Sequence, residues 1–273
     1  MDYSTLGKTG ERLSEIGLGT WKLGANEAGE IEALRAGIDS GINFIDTAEI
    51  YGTEPIVAKA IAGRENLFIA TKVSPTHFHY DDVLRSCDAS LQRLGVSHID
   101  LYQLHWPNCD VPIDETMRAM EKLAADGKIR HIGVSNFSVK EMEAAQAALK
   151  SNEIVSNQVE YSMLVREPEL GLADYCRKEQ VSIIAYSPLA RGHLLDSEYS
   201  KLKEMLGEIG KKHGKTATQV SVNWLISKGN VIPIPKAAKK EHVIELVGAA
   251  GWRLSKEEMA SIDAFLSSTT GAR

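Results

Sequence analysis

Short apolar runs recur along this chain, and each gives way to an amphipathic stretch. The runs begin near Asn43, Leu67, His98, Arg130, Ile154, Val181 and Asn230, with Glu15-Ile16-Gly17-Leu18-Gly19 first in the series. Most begin 24 to 32 residues after the one before, room for one strand and one helix each. That alternation predicts an α/β fold in which parallel strands are joined by crossover helices. No linker, low-complexity tract or composition shift divides the chain, so residues 1–273 are expected to form one domain.

The step from Val181 to Asn230 is longer, at 49 residues, and holds two helix candidates, Ser200 to His213 and Thr216 to Lys228. The second opens on Thr216-x-x-Gln219, a capping-box pattern. Ser138-x-x-Glu141 and Ser255-x-x-Glu258 repeat that pattern ahead of amphipathic runs, the last giving a helix over Glu257 to Leu266. Leu84, Leu91 and Leu94 stand at helical spacing and predict a core-facing stripe. Ahead of the first barrel-type strand, Thr5 to Leu13 reads as a hairpin turning at Gly7 and Gly10, placed to plug the bottom of a barrel.

Composition narrows the function classes. A hydrophobic content of 43% supports a sizeable core, and a net charge of −6 argues against nucleic acid or an anionic membrane as partner. The three cysteines, Cys87, Cys109 and Cys176, have neither disulfide nor zinc-ligand spacing, so no metal is expected. The N-terminal residues lack a basic, apolar signal segment, and no apolar stretch reaches the roughly 18 residues of a membrane helix. A cytoplasmic protein, monomeric or weakly homo-oligomeric, is the expectation.

The chemistry sits at strand ends. Asp46 closes Asn43-Phe44-Ile45-Asp46, Tyr51 follows in the next connection, Lys72 ends Leu67 to Lys72, and His105 ends Ile99 to His105. In a parallel barrel these ends converge on one face. A phenol, an ammonium, a carboxylate and an imidazole there form an acid–base set. Tyrosine has an ordinary pKa of about 10. A neighbouring Lys72 would lower it by stabilising tyrosinate, and Asp46 would keep that ammonium charged and oriented. Taken singly each residue has a plainer role: Asp46 as a helix cap, Lys72 with Asp46 as a structural ion pair, His105 as a satisfied core histidine, Tyr51 as packing.

The strings around these residues resemble the aldo-keto reductases. They are Asn43 to Gly52, Ile69 to Lys72, Leu94-Gly95 with Asp100 to Pro107, Gly127 to Phe137, Asn157 to Tyr161, Tyr186 to Leu189 and Ile232 to Lys236, seven strings in family order. The resemblance implies a (β/α)8 TIM barrel with an N-terminal hairpin and extra helices after strand 7 and at the C-terminus. It implies an NADPH-dependent reduction of aldehydes or ketones by hydride transfer, with Tyr51 as proton donor and His105 fixing the carbonyl. The absence of a Gly-x-Gly-x-x-Gly run agrees with a nucleotide held without a Rossmann domain.

By the same resemblance Ser135, Asn136 and Gln158 hold the nicotinamide carboxamide, Tyr186 stacks on its ring, and Ser187, Leu189 and Gly192 carry the pyrophosphate. Lys236 matches a 2′-phosphate contact and Glu245 an adenine contact. The chain departs from the family pattern at Ala237, where a hydroxyl is usual, at His242, where an arginine is usual, and at Leu246, where an asparagine is usual. NADPH is therefore expected with NADH as a possible second cofactor, Lys236, Lys239 and Lys240 supplying the positive charge. Trp21 and Trp106 match pocket walls, which suits an apolar or aromatic carbonyl as small-molecule substrate. Two other readings stay open: a nucleotide-binding regulatory subunit of the same fold, and a barrel aldolase using Lys72 as a Schiff base.

Overall fold

In a computed structural model that describes residues 1–270, two short antiparallel strands open the chain, β1 (Tyr3–Thr5) and β2 (Arg12–Ser14). The last three residues of the expected domain lie outside the described residues. Eight parallel strands follow and pair in sequence order: β3 (Leu18–Gly19), β4 (Phe44–Asp46), β5 (Phe68–Val73), β6 (Ile99–Leu104), β7 (Ile129–Ser135), β8 (Ile154–Glu160), β9 (Ser182–Tyr186) and β10 (Val231–Pro233). All eight runs picked out by hydrophobic pattern are strands. The last strand meets the first, because Gly17 N–H donates to Pro233 O (2.9 Å) and Gly19 N–H to Pro235 O (3.0 Å). Glycine is needed at this seam: a Cβ on Gly19 would lie 2.7 Å from Ile234 O.

Helices cover the outside: α1 (Glu27–Asp39), α2 (Glu54–Ile61), α3 (Tyr80–Leu94), α4 (Ile113–Ala125), α5 (Val139–Ala148), α6 (Leu172–Lys178), α7 (Ser200–His213), α8 (Ala217–Ile226), α9 (Lys240–Val247) and α10 (Lys256–Thr270). Both reciprocal capping bonds form at Ser138 with Glu141 and at Thr216 with Gln219. Ser255 and Glu258 exchange the same pair ahead of α10. In α3, Leu94 is buried and Leu84 and Leu91 pack partly buried against the core, the stripe their spacing predicts. The α8 helix stops two residues short of the expected Lys228, its final carbonyls taken by Ser227, Lys228 and Gly229 N–H in a tightening turn.

Two apolar cores separate cleanly. The larger lies between sheet and helices. The smaller fills the barrel interior with Phe44, Phe68, Ala70, Leu101, Ile184 and Ile232, and the hairpin contributes Leu6 and Leu13, both fully buried. Burying those two leucines is worth about 1.5–3 kcal/mol each. Gly7 N–H donates to Ser182 Oγ at the first residue of β9 (2.8 Å), so the hairpin closes the N-terminal end of the barrel, as the sequence suggests. No helix among the described residues is long and apolar enough to cross a membrane.

Candidate active site

The interior changes from apolar to polar toward the C-terminal strand ends. Asp46 ends β4, and Lys72 reaches it from β5: Lys72 Nζ lies 2.5 Å from Asp46 Oδ1 and 2.8 Å from Thr47 O. Both side chains are out of water. The second carboxylate oxygen, Asp46 Oδ2, accepts from Gln103 Nε2 (3.1 Å, β6) and Gln158 Nε2 (2.8 Å, β8). A buried charge is tolerated only with such a full set of partners. Gln103 was not picked out by sequence. Its signal is a polar residue on the inward parity of its strand, between Leu101 and His105.

Tyr51 sits in a short 3₁₀ turn, Glu49–Tyr51, which a bond from Ser74 N–H to Glu49 Oε1 (2.5 Å) ties to the end of β5. Its hydroxyl lies 3.2 Å from His105 Nε2, with the two rings edge to face at 5.4 Å. The Lys72 ammonium stands 5.1 Å from the Tyr51 ring centre. Burial is the largest influence on the Tyr51 hydroxyl and holds it above its ordinary 10, while the Lys72 charge lowers it, as expected, without offsetting the burial. Tyr51 is thus a neutral phenol holding its proton. Burial, then the Lys72 charge, lowers His105 to about 3, so this imidazole is neutral and is no reservoir for a second proton.

Above the four groups opens a cleft of about 620 Å³. Asp46, Tyr51 and His105 line it, while Lys72 lies beneath its floor. Trp21, Ile50 and Trp106 are exposed apolar side chains that wall it, Ile50 among them without having been foreseen. Ser135, Asn136, Gln158 and Tyr186 line the same space. Asn136 is heavily engaged: Nδ2 donates to His105 O (3.1 Å) and Ser135 Oγ (3.0 Å), and Oδ1 accepts from Tyr186 OH (3.0 Å). Ser135 Oγ donates to Gln158 O (2.9 Å). Gln158 Oε1 has no donor among the described residues, leaving one unspent acceptor at the cleft wall.

The loop after β9 folds over one end of the cleft and brings Ser187, Leu189 and Gly192 to it, with Arg191 joined to Glu160 (3.0 Å) and its guanidinium 5.8 Å from the Trp21 ring centre. Extra chain after the seventh barrel strand therefore lies on the catalytic face, as expected. Lys236 lines the far end. His242 and Glu245 do not line it. His242 is exposed on α9, and Glu245 Oε1 accepts from Thr216 Oγ1 (2.9 Å) at the junction with α8. Lys240 is paired with Glu32 (3.1 Å), whereas Lys236 and Lys239 have no acidic partner among the described residues. No group of histidine, cysteine, aspartate or glutamate among the described residues is arranged to hold a metal ion.

Comparison with known proteins agrees with this geometry. The model of the aldo/keto reductase family matches residues 15–267. The methylglyoxal reductase YeaE of Escherichia coli K12 is 39% identical over 92% of this chain and 90% of its own length. The glyoxal reductase of Bacillus subtilis 168 is 40% identical over 93% and 90%. An aldo/keto reductase of Klebsiella pneumoniae, solved in complex with NADP and acetate, superposes with a TM-score of 0.87 at 36% identity, covering 97% of this chain and 96% of that one.

Proposed function

The chain belongs to the aldo/keto reductase family and is an NAD(P)H-dependent carbonyl reductase, and we propose that it reduces small aldehydes and ketones with NADPH, Tyr51 donating the proton. One observation carries this reading: the Tyr51 hydroxyl 3.2 Å from His105 Nε2, above the buried Lys72–Asp46 pair, at the floor of an apolar-walled cleft.

When bound, the nicotinamide supplies a hydride to the carbonyl carbon. The carbonyl oxygen then gains negative charge, and Tyr51 gives it the phenolic proton. Lys72 stabilises the tyrosinate that remains, without itself touching substrate, and Asp46 fixes the ammonium in place. In the tautomer that carries its N–H on Nε2, His105 points that donor at the Tyr51 oxygen, where it orients the carbonyl oxygen by a hydrogen bond and leaves the phenolic proton free to move.

The donor set suits the cofactor. A carboxamide offers N–H groups, and Gln158 Oε1 is an acceptor with nothing to accept. Tyr186, its hydroxyl tied to Asn136, presents a fixed ring for stacking. Ser187, Leu189 and Gly192 stand where a pyrophosphate would run, and Lys236 with Lys239 supplies charge for a 2′-phosphate, a modest set that also admits NADH. The relatives named for methylglyoxal and glyoxal, together with the Trp21, Ile50 and Trp106 walls, favour small dicarbonyls and aromatic aldehydes as substrates. The Schiff-base reading is disfavoured because Lys72 Nζ is fully buried and spent on Asp46 and Thr47. The protein is proposed to work as a monomer or weak homo-oligomer in a reducing cytoplasm, where Cys87, Cys109 and Cys176 remain free thiols. A panel of aldehydes, ketones and dicarbonyls assayed with NADPH and NADH by cofactor absorbance tests the reading, and absence of turnover across the panel would favour the regulatory-subunit alternative.

A further inference from the structure

Gln103 lies in β6 and is fully buried. Its Nε2 donates to Asp46 Oδ2 (3.1 Å), and its Oε1 accepts from Gln158 Nε2 (3.2 Å). Gln158 Nε2 donates to the same Asp46 oxygen (2.8 Å). Space is reserved for this arrangement: the residue opposite Gln103 in β7 is Gly133, where a Cβ would lie 3.0 Å from Gln103 Cγ and 2.7 Å from Ser156 Oγ.

The directions of these bonds are dictated. An ionised carboxylate only accepts, so both amides must turn nitrogen toward Asp46. The Gln103 oxygen then faces the Gln158 nitrogen and holds it a second time. Only the oxygen of Gln158 is left for the cleft. We propose that Gln103 is a positioning residue, which locks the Gln158 amide so that the cleft meets an acceptor alone, and thereby selects a carboxamide N–H on the cofactor. This rests on the reductase reading above and deepens it. Asp46 thus serves two ends at once, one oxygen holding the Lys72 ammonium and the other setting the atom that receives the nicotinamide.

The test uses NADPH and its reduced 3-acetylpyridine analogue, whose methyl ketone offers no N–H. Dissociation constants are read from the protein fluorescence, Trp21 and Trp106 lying at the cleft. Wild type is expected to prefer NADPH. Gln103→Leu should weaken NADPH by roughly tenfold and the analogue by less than about threefold, since one charge-assisted bond and one amide lock are lost. Gln103→Glu accepts from Gln158 but donates to Asp46 only when protonated, so its NADPH affinity should recover as pH falls, while that of Gln103→Leu should not. Equal weakening of both cofactors in Gln103→Leu, unchanged affinities, or a pH-flat Gln103→Glu each overturn the proposal. Carbonyl turnover that survives without the predicted binding pattern removes only the positioning role. The binding pattern without any turnover by wild type removes only the reductase reading.

Discussion

Lys72 Nζ and Asp46 Oδ1 lie 2.5 Å apart in a place that water does not reach. Neither charge has a reason to be there for stability alone, because apolar side chains of similar volume would fill the barrel at less cost in desolvation. Removing one partner leaves the other charge stranded. Lys72→Met is therefore expected to lose about 3–5 kcal/mol of unfolding free energy in urea as well as most turnover. The double variant Lys72→Met/Asp46→Asn should recover part of that stability and none of the activity. If the double variant is no more stable than the single, the two charges are not coupled.

His105 makes a prediction about pH. Its value in the folded protein, about 3, lies below the ordinary 6.5, so the unfolded chain binds the proton more readily. Its contribution to stability is fully present above pH 6.5 and is lost as pH falls from there toward 3. Thermal unfolding should consequently show a smaller drop between pH 7 and 4 in His105→Gln than in wild type. Reduction by wild type should show no inflection near pH 6.5, because the imidazole is neutral on both sides of it.

Tyr51 sets the opposite limb. With its hydroxyl raised above 10 by burial, the donor keeps its proton throughout the neutral range and is lost only as pH rises through that higher value. The reductive rate should therefore hold steady to about pH 10 and decline beyond it, as far as the fold survives. A decline centred near pH 8 would show that the bound-state phenol is far more acidic than its burial implies.

At the adenosine end the account rests on charge. A 2′-phosphate carries roughly two negative charges near neutrality, and each charge-assisted hydrogen bond to it is worth about 1.5–3 kcal/mol. Lys236→Ala should weaken NADPH at least about tenfold and NADH much less, with the gap shrinking at high salt. Titration of both cofactors at two ionic strengths decides it, and equal losses would return Lys236 to a surface role.

The hairpin is expected to matter for stability alone. Leu13→Ala opens a cavity at the N-terminal end of the barrel, away from the cleft, and should cost about 2–5 kcal/mol while kcat at a permissive temperature stays near wild type. A large loss of kcat in a folded Leu13→Ala protein would connect the plug to the catalytic face.

Much of this was legible in the chain. Strand periodicity marked β3 to β10 because parallel strands buried on both faces leave dense apolar runs, and Ser138, Thr216 and Ser255 announced their helices because capping is local chemistry. Asp46, Lys72 and His105 were visible because titratable groups at strand ends are costly without a task. What could not be read is whatever depends on burial and long-range partners. Lys72 beside Tyr51 suggested a lowered phenol, but desolvation is set by the whole barrel, and it wins. Gln103 passed unnoticed inside its strand, since its partners Asp46 and Gln158 lie 57 and 55 residues away. Asn136 was legible as a cleft residue, but its bonds to His105, Ser135 and Tyr186 join three strand ends and were not. The bond from Thr216 Oγ1 to Glu245 Oε1, which ties the start of α8 to α9 across 29 residues, was equally out of reach of the sequence.

The central claim is that the Tyr51 hydroxyl delivers the proton, and Tyr51→Phe tests it most directly because only one oxygen is removed from a ring that keeps its place. The measurement is kcat for carbonyl reduction beside the dissociation constant of NADPH in the same variant. General acid catalysis contributes typically 10²–10⁴-fold, so kcat should fall by about that factor while cofactor affinity changes less than about threefold. Turnover near that of wild type with NADPH bound normally would contradict the account and remove Tyr51 from the chemistry.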